Sequence, residues 1–146
     1  MIKRICLAVM MLLFCAGLSA QTLRVKIFSQ QKIKETMFIP SFGRYTLDVD
    51  GKTAKLTRTS KVKFKENSSQ VEVEINDTLF AKGKKAKLIA EGLKCFFQIK
   101  PLNPAIQERR YDDGLEIYPD KKGGLSIINT VEQENYIAGV VQSETW

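Results

Sequence analysis

Glu144 stands beside Ser143 and two positions before Trp146, at the end of a segment whose apolar residues recur at helical spacing. A carboxyl group in that setting is suited to general acid–base work. Burial against apolar or aromatic groups raises a glutamate pKa until it holds a proton near neutral pH. On spacing alone, a solvated surface residue is the commoner reading. Other chemistry is limited by what the chain lacks. It has no histidine, which removes His-dependent nucleophilic catalysis and His-ligated metal from the residues present. Cys6 and Cys15 fall in the N-terminal apolar stretch. Once that stretch is removed, Cys95 is alone and no intramolecular disulfide can form. Next to Phe96 and Phe97, Cys95 reads as a buried small hydrophobe rather than a reactive thiol. No phosphate-binding loop, dinucleotide fingerprint or nucleic-acid-binding motif occurs. No cofactor, metal or nucleic acid is therefore expected.

The element that must position Glu144 reads as a helix. Thr130 followed by Gln133 fits a capping box, and Glu132 and Glu134 suit the positive end of the helix dipole. Tyr136, Val140 and Ser143 share one face, and Ile137, Val141 and Glu144 form the neighbouring row. Upstream, the signals are those of strands. Leu23 to Ile27, Tyr45 to Val49, Lys61 to Lys65 and Val71 to Ile75 alternate apolar and polar residues with period two, and Lys52 to Leu56 returns beside Tyr45 to Val49. Asp50-Gly51 marks a tight turn. Pairing Lys61–Lys65 with Val71–Ile75 as a hairpin puts lysines opposite glutamates on the solvent face. The run Lys82 to Lys87 is a solvated turn or a ligand patch. Leu115 to Tyr118 and Leu125 to Ile128 are short strands joined by the turn Pro119 to Gly124. Pro101 and Pro104 flank a linker expected over Lys100 to Arg110.

The fold class expected is mainly β: an antiparallel β-rich N-terminal region followed by the start of an α+β domain. The division is residues 1–20 as a signal peptide, 21–105 as a β-rich accessory region, and 106–146 as the beginning of a second, truncated domain. Lys3 and Arg4 form a positive n-region, Ile5 to Leu18 an uncharged apolar region, and Leu18-Ser19-Ala20 a cleavage site. The apolar run falls short of the roughly 20 residues a membrane span needs. An uncleaved anchor is the other reading, and bulky Phe14 argues against Cys15 as a lipid-bearing residue. Cleavage after Ala20 removes the two charges of Lys3 and Arg4, so the net charge of +7 becomes +5. The protein is expected in the periplasm, cell envelope or extracellular space. Its basic character suits either simple solubility or anionic surfaces such as the cell wall.

Three ordered stretches carry a family resemblance. They are Gly114-Leu115-Glu116-Ile117, Gly124 to Asn129, and Glu134-Asn135-Tyr136-Ile137-Ala138-Gly139-Val140-Val141-Gln142-Ser143-Glu144. Together they resemble the opening of the stage II sporulation protein D / amidase-enhancer domain. The family's pattern is G-x-L-E, then G-L-x-V-x-N, then L-E-D-Y-L-x-G-V-V-P-S-E-M. The first element is one residue short here, and Asn135, Gln142 and Thr145 replace Asp, Pro and Met. The match runs from Tyr111 to Trp146. The resemblance implies peptidoglycan glycan strands as the partner and lytic transglycosylase chemistry in the complete form, preferably on strands stripped of peptides. It implies that Glu144 is the catalytic residue, with Ser143 and Tyr136 orienting it or lining a substrate groove. As an acid, the Glu144 carboxyl would protonate the glycosidic oxygen. As a base, it would take the proton of the muramic acid C6 hydroxyl and close a 1,6-anhydro ring. No water nucleophile is needed, so the second carboxylate of ordinary glycosidases is not required. The 146-residue chain by itself is expected to be inactive. The alternative is a non-catalytic wall-binding or amidase-enhancer module with a cell-wall amidase as its partner.

Overall fold

A computed structural model describes residues 20–144, except for the side chains of Ser143 and Glu144. The export signal expected over residues 1–20 lies outside them but for Ala20. The protein is mainly β: one antiparallel sheet and a short C-terminal helix. Its strands are β1 (Thr22–Ile27), β2 (Glu35–Val49), β3 (Lys52–Leu56), β4 (Val62–Asn67), β5 (Gln70–Ile75), β6 (Thr78–Gly83), β7 (Ala86–Asn103), β8 (Arg109–Asp112), β9 (Gly114–Pro119) and β10 (Leu125–Glu132). The helix α1 is Gln133–Glu144. The spatial order is β1-β10-β9-β7-β2-β4-β5-β6, with β3 beside β2 and β8 beside β7.

The long strands β2 and β7 form the spine, and each changes its buried face partway along. In β2, Thr36, Phe38 and Pro40 point inward, and then Tyr45, Leu47 and Val49 do. In β7 the buried set shifts from Ala86 and Leu88 to Cys95, Phe97, Ile99 and Pro101. Side chains alternate with period two, so the odd steps from Pro40 to Tyr45 and from Leu88 to Cys95 move the apolar set to the other face. Register shifts between Pro40 and Phe42 and between Phe42 and Arg44 supply the change. Gly43, at φ +83°, makes this possible: a Cβ there would run into the Cys95 sulfur. Cys95 is accordingly buried.

The two half-strands feed one core. Phe38, Tyr45, Leu47, Phe64, Phe97, Ile99, Leu115, Ile117 and Ile127 belong to a single cluster. The charged hairpin forms as expected, with Lys63 opposite Glu74 and Lys65 opposite Glu72. Glu74 is 3.5 Å from Lys63 and 3.4 Å from Lys65, while Glu72 pairs with Lys82 at 2.8 Å. Val73, on the opposite face, is fully buried. Burial outweighs charge here. Val73→Ala should cost roughly 2–3 kcal/mol in chemical denaturation from lost methyl groups and the cavity left behind. Glu72→Ala should cost at most about 1 kcal/mol, the scale of a solvent-accessible pair. Equal losses would mean that charge rather than burial holds this strand.

Of the run Lys82 to Lys87, only Lys84 and Lys85 form a turn, between the end of β6 and the start of β7, and that turn is tied to the β2–β3 corner. Asp50 accepts hydrogen bonds from the Lys84 and Lys85 amides at 2.6 and 3.3 Å. The linker expected over Lys100 to Arg110 is largely strand, since β7 continues to Asn103 and β8 begins at Arg109. Nor does the chain divide in space at residues 105 and 106. β1 pairs along its whole length with β10, and β7 pairs with β9. Segments on both sides of that boundary share backbone hydrogen bonds and one core, so the prolines mark a corner within a sheet. The Asn103–Pro104 bond at that corner is cis.

Candidate functional site

The segment from Gly114 to Glu144 folds as a hairpin followed by a helix. β9 and β10 pair from Gly114–Thr130 out to Pro119–Leu125. Asp120 organises the turn between them. Its carboxylate accepts from the Lys122 amide at 3.0 Å, the Ser126 hydroxyl at 2.7 Å and Lys26 Nζ at 2.9 Å. These donors, led by the Lys122 amide, hold the Asp120 carboxyl well below the usual carboxylate range.

The helix starts later than the capping-box pattern predicts. Thr130 lies inside β10, paired with Gly114 on one side and Arg24 on the other. Two neighbouring strands hold residues 127–130 extended, and that pairing overrides the local cap signal. The cap comes from a distant residue instead. Asp113, at φ 62°, accepts from the Glu132 amide at 2.9 Å and from Asn135 Nδ2 at 3.1 Å. Its charge also suits the positive end of α1. Asp113→Ala should therefore cost about 1–2 kcal/mol and speed amide exchange in the first turn of α1, because it removes a cap and places alanine at positive φ. Asp113→Asn, which tolerates that backbone and keeps one acceptor oxygen, should cost less. Wild-type exchange rates in Asp113→Ala would contradict the capping role.

One face of α1 overlooks a groove of about 240 Å³. Val25 and Ile27 of β1, Asn129 and Val131 of β10, and Tyr136 and Val140 of α1 form its walls. Arg110, Tyr111 and Asp112 of β8 close one side. Asn129 is buried and donates to the carbonyls of Asp112 and Gly114 at 2.8 and 2.9 Å, which fixes the β8–β9 corner against β10. Tyr111 anchors β8 to the core, with its ring 6.0 Å from that of Phe97 and 6.3 Å from that of Phe28. Burial pushes its hydroxyl pKa up, against the opposing effect of Arg109. A half-exposed phenol, a guanidinium and a carboxylate around an apolar floor form a surface that can stack against and hydrogen-bond a ligand.

Of the residues singled out from sequence, Tyr136 is placed in this groove, 41% exposed. Ser143 and Glu144 fall in the last turn of α1, and their side chains lie outside the described residues. Val140, one helical turn before Glu144, lines the groove. Sequence reading passed over Asp113 and Arg110, and it took Asn129 only as the end of the second stretch of the resemblance. The Asp113-Gly114 pair was a usable turn signal, whereas Asn129 and Arg110 gain their roles only from strand pairing. Among the described residues, no cluster of potential metal ligands occurs. No protein-family model matches the chain, and neither curated proteins nor solved structures give a match.

Proposed function

We propose that this is an exported protein acting on peptidoglycan glycan strands, a lytic transglycosylase in which Glu144 is the acid and base. The observation that carries the reading is the ordered three-part likeness to the stage II sporulation protein D / amidase-enhancer domain, ending in Y-I-A-G-V-V-Q-S-E. The groove adds support: the helix that bears this segment turns Tyr136 and Val140 toward it. In the proposed reaction, the Glu144 carboxyl gives its proton to the glycosidic oxygen as the bond to the muramic acid C1 breaks. The resulting carboxylate then takes the C6 hydroxyl proton as that oxygen closes on C1. One group acts twice, and the enzyme ends in its starting protonation state.

A second reading is favoured by the groove's own composition. Tyr136 and Arg110 can hold a sugar chain whether or not a bond is cut, which suits a wall-binding or amidase-enhancing module. Digestion of peptide-free strands by the full-length protein separates the two. The first reading expects fragments with 1,6-anhydro ends. Strands retained on the protein but left intact favour the second.

A further inference from the structure

Between the pairs Phe42–Phe96 and Arg44–Glu91, residues Gly92 to Cys95 of β7 stand opposite Gly43 alone. The surplus chain bulges outward. Gly92, at φ +115°, makes the turn, and Leu93 behind it is fully exposed. The bulge leans on β2 at Gly43, where a Cβ would come within 2.9 Å of the Lys94 carbonyl oxygen. Beside Gly43, Phe42 is 40% exposed and stacks on Phe96, with centroids 5.3 Å apart and planes 12° from parallel. A guanidinium covers each ring: Arg110 lies 3.6 Å from the Phe96 centroid and Arg58 5.4 Å from that of Phe42. Arg58, Arg110 and Lys94 are all exposed. Two carboxylates belong to the same stretch of sheet. Glu91 is held by Lys55 and stands opposite Arg44, and Asp112 stands opposite Phe96. Neither forms an ion pair with Arg58, Lys94 or Arg110. The result is a protrusion with an apolar tip, an aromatic flank and a cationic surround.

We infer that the β7 bulge docks the protein on an anionic lipid surface, with Leu93 and the Phe42 ring entering the headgroup boundary and Arg58, Lys94 and Arg110 meeting lipid phosphates. An exposed leucine gains free energy by leaving water, and at the tip of a protrusion it reaches the acyl boundary without any rearrangement of the sheet. Guanidinium groups stacked on rings are ordered in advance, and their N–H edges match phosphate oxygens. Charge complementarity selects anionic over neutral lipid, because each cation near a negative leaflet adds attraction that decays within a Debye length. The net charge of the chain, +7, has the same sign. Lipid docking is independent of the glycan-strand reading: Leu93, Lys94, Phe42 and Arg58 do not line the groove beneath α1, although Arg110 does.

The test is binding of the full-length protein to phosphatidylcholine vesicles with and without phosphatidylglycerol. Wild type should bind the anionic vesicles about tenfold or more tightly than the neutral ones, and the preference should shrink at high salt. Leu93→Ser should weaken binding about tenfold, the scale of withdrawing one leucine side chain from hydrocarbon. The Arg58→Gln/Lys94→Gln double variant should weaken it by about tenfold or more. Leu79→Ser, at an exposed leucine of the edge strand β6, should leave binding unchanged. A second measurement locates the contact. Against the wild-type background of Trp146, Leu93→Trp should add an emission that shifts to the blue on anionic vesicles and is quenched by brominated acyl chains, and Leu79→Trp should not. Equal wild-type binding to neutral and anionic vesicles overturns the proposal. Vesicle binding that Leu93→Ser does not weaken, or a Leu93→Trp emission that stays that of an indole in water, also overturns it and assigns attachment elsewhere, to the N-terminal apolar stretch or the wall. Each of these failures leaves the glycan-strand reading standing.

Discussion

Glu144→Gln in the full-length protein should lower the rate of glycan cleavage by about 100- to 10,000-fold, the usual contribution of general acid–base help. Glutamine keeps the size and hydrogen-bonding ability of glutamate but cannot deliver a proton. Binding of peptide-free strands should therefore stay within a few-fold of wild type, with the loss confined to turnover. Glu134→Gln is the matched control. It lies in the first turn of the same helix and removes the same charge, so its cost should be far smaller. The assay is initial rate of 1,6-anhydro end formation. A Glu144→Gln variant that cuts at close to the wild-type rate would remove the catalytic assignment, and equal losses in both variants would point to helix stability instead.

Phe97→Ala should be the most damaging single truncation of the sheet. The Phe97 ring is fully buried. Its centroid is 4.8 Å from that of Phe38 and 6.0 Å from those of Tyr45 and Tyr111. It follows the bulge at which β7 changes its buried face, so it joins the spine to β8 and the groove wall. Removing a buried phenylalanine typically costs about 3–5 kcal/mol. Against a domain stability of roughly 5–15 kcal/mol, that is about a fifth of the total or more. The melting temperature should fall by roughly 10 °C or more. Leu93→Ala, at the fully exposed tip of the β7 bulge, should change stability by less than about 0.5 kcal/mol. Similar melting temperatures for the two variants would misplace the core.

Much of the sheet was legible because half-buried strands announce themselves by alternation. β4, β5 and the second half of β2 follow the expected rhythm, and the lysine–glutamate hairpin has the expected register. The first half of β2 and most of β7 were hidden by the same rule. A bulge reverses which residues face inward, so Phe38 and Tyr45 belong to one strand although their parities differ. Pro101 read as a breaker, yet it is buried within β7 opposite Thr36. The pairing of β1 with β10 joins the two ends of the described chain, and no local pattern encodes it. That pairing also moved the start of the helix from the neighbourhood of Thr130 to Gln133. At the candidate site, Tyr136 was visible because helical spacing put it on a face. Arg110 was not, because it reaches the groove only through the pairing of β8 with β7.

The central claim is tested most directly by the fate of solvent oxygen. Full-length protein should be incubated with peptide-free glycan strands in water enriched in heavy oxygen, and the new ends analysed by mass spectrometry. Ring closure by the muramic acid C6 hydroxyl uses no water, so the expected products are 1,6-anhydro ends containing no solvent oxygen. Reducing ends that carry the heavy label would show water as the nucleophile and contradict the single-carboxyl mechanism at Glu144.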